Sequence, residues 1–106
     1  MARNPKMLTK IPENAMNSFM AEIRRRKIDL REFRVSFFEL SDFYSVLLRY
    51  KDTPLLELDS DKYPSYQVRL SLDTGELISV GKPLCRDLRH VKEELLGEED
   101  SGTDVQ

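Results

Sequence analysis

Between Tyr66 and Val80 the chain alternates, turns and alternates again. Tyr66, Val68, Leu70 and Leu72 are separated by Gln67, Arg69 and Ser71; Asp73-Thr74-Gly75-Glu76 follows; Leu77, Ile78 and Val80 return. A period of two marks a strand with one buried face, and the turn glycine offers the positive φ that a tight reversal needs. An antiparallel hairpin of this kind cannot stand alone. The rest of the chain must cover its apolar face.

Two amphipathic helices are available for that task. Pro12 suits a first helical turn, and Ala15, Met16, Phe19, Met20 and Ile23 then recur at helical spacing. Asn14, Asn17, Glu22 and Arg25 fall on the opposite, polar face. Arg24-Arg25-Arg26-Lys27 closes the helix, where cations complement the dipole. Gly81 and Pro83 precede a second stripe of Leu84, Leu88, Val91 and Leu95, and Gly97 sits where a helix stop favours a left-handed residue.

Further strands are expected between the helices. Phe33, Val35 and Phe37 alternate with Arg34 and Ser36, and Ser41-Asp42 is a turn without glycine. Phe43 to Lys51 fits both a strand and a helix, and its aromatics and valine favour strand. Leu55, Leu56 and Leu58 suggest a short strand before a polar loop. The expected fold class is α+β: an N-terminal and a C-terminal helix packed on a four- to five-stranded antiparallel sheet. This element order, with the stretch Tyr66-Gln67-Val68-Arg69-Leu70-Ser71-Leu72-Asp73-Thr74-Gly75-Glu76-Leu77, resembles cystatin-like and PepSY-like small domains, in which a helix lies across a curled antiparallel sheet. No activity or residue role is carried over from that resemblance.

The 106 residues suffice for one domain. The division expected is a flexible basic arm over 1–10, one α+β domain over 11–97 and a disordered acidic tail over 98–106. That tail carries four acids and no base. No apolar segment follows the charged N-terminus, no run approaches the ~20 apolar residues of a membrane span, and Cys85 has no cysteine partner. A cytoplasmic location is expected, with no membrane partner.

Catalytic and metal motifs are missing. Cys85 and His90 are the single cysteine and histidine. A helical spacing of five sets them about 140° apart, and a zinc site needs three or four ligands. Asp59 and Asp61 open like a calcium loop, but Pro64 takes the glycine position and Leu70 the glutamate position. Cys85 beside Arg86 invites a lowered thiol pKa, yet reactivity also needs an accessible cleft. The glycines are scattered and form no phosphate loop or nucleophile elbow. Glu93-Glu94 and Glu98-Glu99 fall on a helix end and tail, where they are solvated. The expectation is a protein that is not an enzyme and uses no cofactor or metal.

Two binding readings remain. Residues 1–34 hold nine Lys or Arg against four Asp or Glu, and the rest hold eight against fifteen. Arg24, Arg25, Arg26, Lys27, Arg31 and Arg34 are therefore candidate nucleic-acid contacts. Successive 100° steps make the first four ring the helix, which equally suits a solvated helix end. The second reading starts from adjacent aromatics. Phe37 beside Phe38, and Phe43 beside Tyr44, must point to opposite faces of a strand. Phe38 and Phe43 then flank the Ser41-Asp42 turn on an outer face, and with Tyr50 they form a candidate protein-binding surface. The leading expectation is a small binding protein (an inhibitor, an immunity-type antagonist or an adaptor) that acts through its sheet on another protein or a second copy of itself.

Overall fold

The computed structural model describes residues 6–51, 53, 62 and 64–83. They form β1 (Lys6–Leu8), α1 (Glu13–Arg26), one 3-10 turn at Leu30–Glu32, β2 (Phe33–Glu39), β3 (Phe43–Tyr50), β4 (Tyr66–Ser71) and β5 (Leu77–Gly81). The strands make one antiparallel sheet in the order β1-β2-β3-β4-β5. The α+β class and the antiparallel sheet agree with the sequence reading, but the fifth strand is β1 and not the Leu55–Leu58 segment that the sequence suggested. The second helix, the short strand at Leu55–Leu58 and the acidic tail lie outside the described residues.

Two segments differ from expectation or resolve it. Lys6–Leu8 belongs to no free arm: it pairs with β2, Leu8 opposite Phe37, and Leu8 packs against the core. Three residues carry too little pattern to reveal a strand; the partner strand makes it one. Phe43–Tyr50 is a strand because both its edges are taken, by β2 and by β4.

The main core lies between α1 and one sheet face. Ile11, Ala15, Phe19 and Ile23 are buried against Val46, Leu48, Val68 and Leu70. Burying each large apolar side chain contributes roughly 1.5–3 kcal/mol. Phe19 meets Phe37 edge-on, ring centroids 6.3 Å apart. At one end of this layer Phe33 contacts Tyr50 at 5.5 Å and Tyr66 at 5.9 Å.

Backbone geometry fixes both ends of α1. At its C-terminus Lys27 takes a left-handed conformation, φ 57°. Its N–H donates to the Arg24 carbonyl, and the Ile28 N–H donates to the Ile23 carbonyl, so orphan carbonyls are satisfied and Ile28 turns onto the core. At its N-terminus the Asn14 side-chain amide donates to the Thr74 carbonyl at 2.8 Å, tying the helix to the β4–β5 turn. Gly75 in that turn has φ 77°, and a Cβ there would stand 2.6 Å from the Ala15 backbone nitrogen.

Two substitutions test this geometry in opposite directions. Gly75→Ala should destabilise the fold by about 1–3 kcal/mol, since it adds left-handed strain to a backbone clash. Lys27→Gly should stabilise by up to about 1 kcal/mol by relieving the same strain where no clash exists. Urea unfolding followed by circular dichroism measures both.

Candidate functional site

Strand alternation sends a second set of side chains to the sheet face opposite α1. Phe38, Phe43, Ser45, Leu47, Arg49, Gln67, Arg69 and Ser79 belong to it, as cross-strand neighbours in register. The Gln67 amide donates to Ser45 Oγ at 3.0 Å. Arg69 Nη1 donates to Ser79 Oγ at 2.8 Å, and its guanidinium stands 5.4 Å from the Phe43 ring centroid. A guanidinium on β4 thus ties β3 to β5.

This face corrects the expected aromatic site. Phe38 and Phe43 do share the outer face, but Phe38 is fully buried (0% exposed) and Phe43 is half-buried. Leu47, Gln67 and Ser45 are buried beside Phe38. Alternation correctly separates the two faces; it says nothing of whether a face is covered. Tyr50 is half-buried on the α1 side, held by the Phe33 ring, with its hydroxyl 3.5 Å from Glu32 Oε2. The three proposed contact residues therefore do not form one exposed patch.

The basic candidates are divided too. Glu22, expected on the polar face of α1, is buried at 6% exposure. Arg25 grips it with two hydrogen bonds, Nε to Oε1 at 3.0 Å and Nη2 to Oε2 at 2.6 Å; Arg26 Nε adds a third at 2.6 Å. Two long side chains fold over one carboxylate and shield it. Arg31 pairs with Asp29 at 3.0 Å. Arg34 is exposed on the far face of β2, opposite Arg49 on β3, so the sheet separates it from the basic end of α1. Arg49 donates to the Thr53 carbonyl at 2.9 Å.

The surface that sequence reasoning missed is the outermost strand. Leu77 and Ile78 are the exposed large hydrophobic residues among those described, at 40% and 54%. Pairing shifts between Arg69 and Leu70, so Ser79 faces Arg69 while Leu77 faces Leu70, and Ile78 is the extra bulged residue. Two adjacent apolar residues after a turn were a signal that one of them leaves the core. Their place on an edge strand was not in the pattern.

Cys85 and His90 lie outside the described residues, and among the described residues no cluster of three His, Cys, Asp or Glu could hold a metal ion. No described helix is long and apolar enough to cross a membrane. No family model, curated protein or solved structure matches the chain.

Glu22 supplies a pH test. Hydrogen bonds from Arg25, then from Arg26, hold its carboxyl at about 2, below its ordinary 4.5. A value depressed by folding means the clamp stabilises fully above pH 4.5 and is lost as pH falls towards 2. Glu22→Gln should lower the melting temperature at neutral pH by several degrees, and the gap from wild type should close across that acid window. Thermal melts at stepped pH check it; a gap constant with pH contradicts the clamp.

Proposed function

We propose that this chain is a small, non-enzymatic protein-binding domain that works through the open edge of its sheet. The observation that carries the reading is the exposure of Leu77 and Ile78 on β5, the last strand in the described sheet order. An edge strand presents backbone donors and acceptors to a partner strand, and exposed apolar side chains beside it add burial on contact. Natural edges are usually short, charged or covered; β5 carries no charged residue between Leu77 and Gly81.

The partner we assign is a second copy. Two β5 edges related by a two-fold axis can pair antiparallel, each presenting Leu77 and Ile78 to the other. The order β1-α1-β2-β3-β4-β5 supports the cystatin-like shape expected from the sequence, with α1 across one face and the edge left for contact. A cytoplasmic role suits a lone cysteine, Cys85, that would stay reduced there.

Nucleic-acid contact through Arg24, Arg25, Arg26, Lys27, Arg31 and Arg34 has weaker support. Glu22 and Asp29 offset three of these cations, and Arg34 lies across the sheet from the others.

Sedimentation equilibrium over a concentration series tests the edge. Wild type should dimerise with rising concentration. Ile78→Lys should remain monomeric with an unchanged circular dichroism spectrum, since an exposed position tolerates the charge. A wild-type chain that is monomeric throughout overturns the assignment.

A further inference from the structure

Hydrogen-bond phase fixes which backbone groups β5 turns outward. The Ser71 N–H donates to the Glu76 carbonyl at 2.8 Å. In an antiparallel ladder every second residue bonds to the same neighbour, so Arg69 and Gln67 continue that series, opposite Ser79 and Gly81. Val80 lies between those two and turns its N–H and C=O away from β4. Leu77, next to Glu76 and opposite Leu70, does the same. The bulge at Ile78 shifts the phase between them, so these two outward residues are separated by Ile78 and Ser79 together. The Leu77 and Val80 side chains share one face, opposite Leu70 and Val68 of the main core. The edge is open there: Leu77 is exposed, and a Cβ on Gly81 would meet nothing within 4 Å.

We propose that two copies pair through β5 in a single register, Leu77 opposite the partner's Val80 and Val80 opposite the partner's Leu77, and that assembly closes at this dimer. It rests on the edge contact proposed for Leu77 and Ile78. Antiparallel bonding joins outward residues to outward residues. An axis between Ile78 and Ser79 uses both outward residues of each copy, whereas an axis through Leu77 or through Val80 uses one from each. The same axis gathers Leu77 and Val80 of both copies on the α1 side, which carries the main core across the interface. Charge agrees with it. Glu76 falls opposite the partner's Gly81, beside the partner's Lys82, at both ends of the contact. Glu76 is exposed. Lys82 holds another contact in its own chain, and its ammonium has three donors to share. An axis through Leu77 instead sets the two Glu76 carboxylates near each other.

The opposite edge of the described sheet is unsuited to growth. The Leu40 N–H donates to the Phe43 carbonyl at 2.9 Å, so Phe38, Ser36 and Arg34 bond to β3, while Glu39 and Phe37 bond to β1. Lys6 and Leu8 therefore turn their backbone groups to β2, and within β1 Met7 alone turns outward, beside the exposed Lys6. One residue holds no partner strand, and an edge lysine opposes pairing. A β1-to-β5 contact, the head-to-tail step that builds filaments, is disfavoured.

Amide exchange, methyl NOEs and sedimentation on the full chain, over one concentration series, decide it. As the dimer fills, the Leu77 and Val80 amides should slow by about ten-fold or more, with Ser79 and Gly81 protected throughout and Met7 unchanged. Interchain NOEs in a mixed-isotope sample should join Leu77 methyls to Val80 methyls. Glu76→Lys should weaken the dimer about three-fold or more, and its exposed position should spare the fold. A dimer whose Leu77 or Val80 methyls meet their own counterparts, whose two edge amides do not slow, or which is indifferent to Glu76→Lys overturns the register and leaves the edge contact standing. A species heavier than the dimer, or a Met7 amide that slows with concentration, overturns the closure. A chain monomeric at every concentration removes the edge contact and this pairing together.

Discussion

Four consecutive residues of β3, Ser45 to Leu48, are buried, and strand geometry turns neighbours to opposite faces. The rest of the structure depends on this double burial. Val46 and Leu48 face α1 and join the main core; Leu47 and Ser45 face away and still avoid water. A strand buried on both sides belongs at the centre of a layered domain. β2 and β4 hold β3 there, and α1 covers the face that carries Val46 and Leu48.

Polar groups follow the same division. On the far face Gln67 donates to Ser45, and Arg69 reaches Ser79 and Phe43, so polar side chains between buried apolar ones are satisfied. On α1 the buried Glu22 is compensated by Arg25 and Arg26. A basic run that looks like a surface for anions is thus partly the counterion of one carboxylate. The exposed apolar pair on β5, Leu77 and Ile78, stands apart from both networks.

Much of this was legible along the chain. The stripe of α1 and the Tyr66–Val80 hairpin are periodic enough to read directly, and both ends of each depend on local chemistry: Pro12 before the helix, Gly75 in the turn. The strand between Phe43 and Tyr50 was legible in its aromatics and valine, though its pattern also suited a helix. β1 was not legible, because three residues become a strand only beside β2. Glu22 was misplaced for a related reason: its period put it on the polar face, while its burial comes from where two arginine side chains fold.

Sequence by itself determined the stripe of α1, the hairpin and the split of Phe37 from Phe38 to opposite faces. It could do so because helical and strand periods follow from bonded geometry within a few residues. Only the tertiary structure decided which face is sealed, which strand is outermost and which charge is buried. Those depend on pairings between residues far apart in the chain, such as Leu8 with Phe37 or Val46 with Val68, and no local pattern encodes them.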